Sequence, residues 1–184
     1  MKQQLLFLKH DWQRMVSHQP LRWLMIWLQP ICWALFWYRF ERGLFLTFGN
    51  WYKVMRIPLM PLANLVYSLA NFDVPYRANI GGGLQVLHPA MGVVINGKAQ
   101  IGSNLTLVGG NVIGLAGKNK QGKFVLGDGI IMGANATIIG PVELAERIVI
   151  GANACVIRSC LRPHATLAGV PAKEIHVESG TSTQ

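Results

Sequence analysis

The chain has 184 residues, 17 Lys/Arg against 8 Asp/Glu, and a formal net charge of +9. That length allows one moderate domain with an appendage. Cys32, Cys155 and Cys160 lack metal-ligand spacing, and the apolar start is too short and too interrupted by charge for a signal peptide, so a thiolate metal centre is excluded and a reducing cytosol is expected.

Composition divides near residue 72. All six tryptophans lie before it, and all glycines except Gly43 and Gly49 lie after it. The first part holds only two acids, Asp11 and Glu41, so most of the positive excess sits there, among the tryptophans. That is not the pattern of a nucleic-acid binder, which needs a basic stripe with exposed stacking groups. In "KQQLLFLKHDWQRMV", Leu5, Leu8, Trp12 and Met15 follow helical spacing, with Lys2, Lys9 and Arg14 available to anionic lipid. In "RWLMIWLQPICWALFWYRFERGLFL", the only clearly polar residue between Arg22 and Arg39 is Gln29, followed by Pro30. This run is short of a spanning helix, and the proline would kink it. Arg and Trp at both ends predict an interfacial element, with Trp23, Trp27, Trp33 and Trp37 at headgroup depth. The rival reading is a helical cap or oligomer core. The expectation is peripheral membrane contact through residues 1–50, on the cytoplasmic face of the inner membrane.

From Leu126 an aliphatic residue recurs every six positions: Met132, Ile138, Leu144, Ile150, Val156. A second small or branched residue follows four later, at Ile130, Ala136, Val142, Ile148, Ala154 and Cys160. Upstream the period reappears at Ile80 and Val86, and at Ile95, Ile101, Leu107 and Ile113. Neither a helix nor an ordinary strand has this period, whereas a triangular solenoid does, with three hexads per coil and the leading aliphatic inward. The phase breaks twice. Between Ile113 and Leu126 the stretch "GLAGKNKQGKF" reads as a loop bearing Lys118, Lys120 and Lys123, and between Val86 and Ile95 lies His88.

The hexads resemble those of the hexapeptide-repeat acyltransferases, over roughly residues 73–173. The fold implied is mainly β, a left-handed parallel β-helix, with an N-terminal helical region (1–72) and a polar tail (174–184). Within that superfamily "DVPYRANIGGGLQVLH", "GVVIN", "LTLVGG" and "LAGVPAKEI" are similar to the serine acetyltransferases and to the O-acetyltransferases of bacterial polysaccharide synthesis. That family commonly has an acid fifteen residues before its catalytic histidine, the spacing of Asp73 and His88, and with three hexads per coil such a separation is expected to place the two on adjacent coils, close to one edge. The resemblance implies that His88 is the general base toward an acceptor hydroxyl and that Asp73 orients it, with acetyl-CoA as donor and no metal. On its own, His88 reads as a solvated turn histidine; the Asp73 spacing, the break in phase and the terminal "AGVPAK" reverse that. Asp73 on its own reads equally as a cap at the domain junction. Gly109, Gly110, Ala134, Ala152 and Lys173 are the candidates for the coenzyme, although hexad turns demand Gly and Ala anyway. His164 reads as structural, and His10, His18 and His176 as surface residues. A three-histidine zinc site lacks its spacing.

Two departures bear on the acceptor. Leu87 stands where the serine enzymes carry an acid, and the Arg-His pair of their extended loop is missing. An α-amino acid needs partners for its ammonium and its carboxylate, so the expected acceptor is a sugar or polysaccharide hydroxyl, including a lipid-linked one, with serine as the alternative. The acyl donor is expected to lie in the groove between prisms of a homotrimer. A non-catalytic scaffold would keep an unbroken repeat.

Overall fold

The computed structural model describes residues 1–16, 26–117 and 122–175. Helices come first: α1 (Lys2–Val16), α2 (Pro30–Phe48), a single turn α3 (Tyr52–Met55) and α4 (Met60–Leu69). Five coils of parallel strands follow. The first is β1 (Phe72–Asp73), β2 (Asn79–Ile80) and β3 (Gln85–Val86). The second is β4 (Val93–Ile95), β5 (Gln100–Ile101) and β6 (Thr106–Leu107). The third is β7 (Asn111–Leu115), β8 (Val125–Leu126) and β9 (Ile131–Met132). The fourth is β10 (Thr137–Gly140), β11 (Glu143–Leu144) and β12 (Val149–Ile150). The fifth is β13 (Cys155–Val156) and β14 (Thr166–Gly169), closed by β15 (Ala172–Ile175), which pairs antiparallel with β14.

The strands stack into three sheets, one per face of a prism. The first face runs β1-β4-β7-β10-β13, the second β2-β5-β8-β11, and the third β3-β6-β9-β12-β14-β15. The hexad aliphatics form the inner ladders: Ile95, Ile113, Ile138 and Val156 on the first face, Ile80, Ile101, Leu126 and Leu144 on the second, Val86, Leu107, Met132 and Ile150 on the third. All are buried, and burying each stabilises the fold by about 1.5–3 kcal/mol. Cys160, at the edge of the last coil, is only half-buried. The last described strand, β15, ends at Ile175.

The first coil has no preceding coil to pair with, and the helices supply the partners. On α2, Tyr38 donates to the Ala78 carbonyl (2.8 Å), Arg39 to those of Ile80 and Gly81 (2.6 and 2.7 Å), and Arg42 to that of Arg77 (3.1 Å). On α1, Asp11 accepts the Gly83 and Leu84 amides, both at 2.7 Å, and pairs with Arg39 at 2.8 Å. Unpaired buried backbone is costly, so these bonds explain why charged side chains are interior here.

This corrects the expected interfacial element at residues 22–39. Arg39 is 1% exposed, and Ile31, Ala34, Leu35 and Tyr38 are buried with it. Pro30 does not kink a helix; it opens α2, at the first position, where its missing N–H costs nothing. An apolar aromatic run is also what a cap needs, and composition alone does not separate the two. Trp27 and Trp33 stay exposed and Trp37 is half-buried, whereas Trp23 and His18 lie outside the described residues. Among the described residues no helix is long and apolar enough to cross a membrane.

Candidate active site

The edge where the third face turns into the first carries most of the candidate residues. Its first corner is the turn His88–Gly92. The His88 amide donates to the Val108 carbonyl (2.8 Å), Pro89–Met91 makes one 3-10 turn, and Gly92 closes it at φ +83. The irregular spacing from Val86 to Ile95 is this turn. The next corners stack on it directly: Gly110 N–H bonds to Gly92 O (2.8 Å), Asn135 N–H to Gly109 O (2.8 Å), and Asn153 N–H to Ala134 O (2.8 Å). The column therefore reads His88, Gly109–Gly110, Ala134 and Ala152. In place of a fifth corner stands the hairpin turn between Gly169 and Ala172, and exposed Lys173 follows it, opposite Ala168. Neighbouring strands are about 4.8 Å apart, so four steps carry this edge roughly 20 Å.

Gly109 has a local reason as well. A Cβ there would lie 2.6 Å from the His88 carbonyl oxygen, on a backbone at φ +145. Packing under the histidine turn thus demands glycine at 109. A buried amide fixes the same corner: Asn111, 1% exposed, accepts from Gly109 N–H (2.9 Å) and donates to the Gly133 carbonyl (2.7 Å). Sequence reasoning passed over Asn111. Its signal was a polar residue at an inward place of the ladder, in register with Val93.

Asp73 lies on the first face, in register with Val94 of the coil above. It lines a cleft of about 560 Å³ between that face and α4, together with Asn64, Tyr67, Ser68, Asn71 and Gly92. The two walls are tied, because Val93 N–H bonds to Asn71 O (2.9 Å). Tyr67 donates to buried Glu41 (2.8 Å), which also accepts from Tyr52 and Arg56. Burial, and then the Glu41 carboxylate, push the Tyr67 hydroxyl far up, so it stays a donor. Asp73 and His88 thus flank one corner, and Gly92 ends the histidine's turn at the cleft. Both side chains are exposed, and no hydrogen bond or ion pair joins them among the described residues. They belong to the start and end of one coil, rather than to adjacent coils as the fifteen-residue spacing implied.

The remaining candidates separate. His164 sits on the opposite edge, between second and third faces, its Nε2 3.5 Å from Arg147. His10 is half-buried over Gly82. Lys123 is exposed and pairs with Glu143 at 3.7 Å, whereas Lys118, Lys120 and His176 lie outside the described residues. Among the described residues no cluster of three or more His, Cys, Asp or Glu could hold a metal ion.

This parallel β-helix, with one histidine turn at the head of a column of small residues, has the architecture of the hexapeptide-repeat acyltransferases, which here means an acetyl-CoA-dependent enzyme. No protein-family model matches the chain. Serine acetyltransferase of Helicobacter pylori strain J99 is 31% identical over 175 residues, spanning 93% of this chain and 98% of that protein. The structure of Neisseria gonorrhoeae serine acetyltransferase in complex with serine superposes with a TM-score of 0.77 at 26% identity, over 95% of this chain and 70% of that one. A serine acetyltransferase solved in complex with CoA shares the fold, with a TM-score of 0.73 at 24% identity, over 95% of this chain and 70% of the other. The chain belongs to the serine acetyltransferase family.

The comparison overturns the expected sugar or polysaccharide acceptor. That expectation rested on Leu87 and on the loop, two places in a chain whose likeness to a serine enzyme covers 93% of its length. That expectation also took no account of α4. Polar groups at Asn64, Ser68 and Asn71 face the Asp73 cleft from a segment the sequence had assigned to the apolar appendage.

Proposed function

We propose that the protein is a serine O-acetyltransferase that forms O-acetylserine from serine and acetyl-CoA. The observation that carries this is end-to-end likeness to the Helicobacter pylori enzyme, at 31% identity across 98% of that protein. His88 is the general base: it takes the serine hydroxyl proton as that oxygen attacks the thioester carbonyl. The C–S bond then breaks, and the imidazolium returns the proton to the departing CoA thiolate. Asp73, across the corner, orients the imidazole and stabilises its charged form as the acceptor draws the two together; such bonds commonly tighten only in the reacting complex.

The column Gly109, Gly110, Ala134 and Ala152 forms a low shelf for the pantetheine arm, and Lys173 at its far end meets the phosphates. Support comes from their stacking on one edge and from a length, about 20 Å, that suits an extended arm. The shelf needs a second wall, and we assign it to a neighbouring prism in a homotrimer. Exposed Val94, Ile131 and Val149 on the flat faces support that assembly.

Release of CoA from acetyl-CoA, followed with a thiol reagent, tests the acceptor. Release that depends on L-serine and yields O-acetylserine is expected. Release with a sugar hydroxyl and none with serine would overturn the assignment.

A further inference from the structure

The helical region hides every acid it has. Asp11 and Glu41 are fully buried, and no other Asp or Glu precedes Asp73. Their partners are internal: Arg39 with the Gly83 and Leu84 amides for Asp11, and Tyr52, Arg56 and Tyr67 for Glu41. The ionic groups left at its surface are cationic, with Lys2, Lys9 and Lys53 exposed.

The same surface is strongly apolar. Trp51 is 76% exposed, and Val54, Ile57, Leu62, Leu65 and Leu69 are each at least half exposed. Leu62, Leu65 and Leu69 repeat at helical spacing on the outer side of α4, while Ala63 is buried. At Leu69 this line enters an apolar cleft of about 170 Å³ walled by Trp27, Leu28, Trp33 and Val66. The start of α2 and the outer face of α4 are therefore one continuous surface. Contiguous exposed apolar area of this kind marks a contact site.

We propose that this face docks on an anionic lipid bilayer. The leucines of α4 enter the headgroup layer, Trp27, Trp33 and Trp51 sit at the interface, and Lys53 meets lipid phosphate. Charge selects lipid over a second copy of the chain, because a two-fold pairing would set a surface without exposed acids against itself, whereas anionic headgroups supply the missing counter-charge. Among the described residues no helix is fit to cross a membrane, so the contact is interfacial. Its centre is α4 rather than the buried half of α2. The proposal is independent of the acceptor.

Flotation of the full chain with vesicles tests it, comparing a phosphatidylglycerol–phosphatidylcholine mixture with phosphatidylcholine alone. The protein is expected to float with the anionic vesicles, and less so in high salt. Leu65→Ser should lower partition about tenfold, since immersing a leucine is worth about that factor. Lys53→Glu should lower it on anionic vesicles only. Both variants should keep the parent's thermal midpoint and sedimentation coefficient. No flotation at low salt, or equal flotation by Leu65→Ser, overturns the proposal. A parent that ignores vesicles, and whose sedimenting mass falls with Leu65→Ser, identifies the face as a contact between copies instead.

Discussion

Along the second edge of the prism, between second and third faces, Gly83, Asn104, Gly129, Arg147 and His164 form a column, one per coil, all at positive φ between +55 and +85. Each after Gly83 is tied to the coil before it: Asn104 N–H to Gly82 O, Gly129 N–H to Ser103 O, Arg147 N–H to Asp128 O, His164 N–H to Glu146 O. The third edge has a similar column in Gly110, Asn135 and Asn153, but its first corner breaks the pattern with a 3-10 turn opened by His88. Each of these two edges thus holds one histidine. His164 fills a place that backbone geometry defines, and any residue tolerant of the left-handed region would serve there. His88 stands where the repeat is interrupted. In a solenoid, chemistry is expected where periodicity fails, because the regular positions are already committed to stacking.

The sharpest way to break this contrast is His88→Ala. Transfer should fall by about 10²-fold or more in kcat/KM, the range for losing a general base, while the urea midpoint stays that of the parent. Turnover equal to the parent's would make the two histidines equivalent and remove the mechanism.

Asp11→Ala tests the other end of the contrast, the helical cap that starts the second edge. It strands Arg39 and the Gly83 and Leu84 amides. Removing one partner of a buried ion pair costs about 3–5 kcal/mol, so urea unfolding should shift strongly. The molecules that remain folded should keep the parent's kcat.

These two substitutions also mark what the sequence could and could not convey. The irregular turn at His88 and the inner ladder were legible, because a six-residue period and its breaks are local and visible along the chain. Every leading aliphatic from Ile80 to Val156 is buried as that period requires. Asp11 was not legible, because its meaning lies in one pairing with Arg39, 28 positions away, and with amides 72 and 73 positions away. No period announces such a pairing, and an Arg beside Trp reads equally as a membrane anchor. Asn111 and the polar side of α4 were missed for the same reason. Each acts through one partner or one cleft, not through a repeat.

Asp73→Asn refines the reading of the third edge. It should lower kcat about tenfold while leaving KM for both substrates near the parent's, since an amide still accepts a hydrogen bond but gives little support to an imidazolium. A rise in KM for serine at unchanged kcat would instead assign Asp73 to acceptor binding in its cleft.

A matched pair of glycines separates the edges further. Gly109→Ala would place a Cβ 2.6 Å from the His88 carbonyl, whereas at Gly129 the nearest atom is Arg147 Cγ at 3.3 Å. Both sit at positive φ. Gly129→Ala should cost about 1–2 kcal/mol of stability for its left-handed backbone and leave kcat unchanged. Gly109→Ala should cost about 1–3 kcal/mol by overpacking and also lower kcat, because the shifted carbonyl belongs to the proposed general base. Equal kcat in both variants would show that the histidine turn moves without consequence.

The smallest effect is expected at His164. Asparagine holds three of the comparable positions, Asn104, Asn135 and Asn153, and it adopts the left-handed region readily. His164→Asn keeps the backbone and loses only a 3.5 Å contact with an exposed arginine. Stability should stay within about 0.5 kcal/mol, and kcat/KM should match the parent's. His88→Asn, the same chemical change at the other edge, should be as inactive as His88→Ala, because an amide cannot act as the proposed general base. Measured side by side, the two asparagine variants hold side-chain chemistry constant and vary only position. A comparable loss at His164 would place part of the reaction on the second edge and end the distinction between a histidine fixed by the repeat and one freed by its interruption.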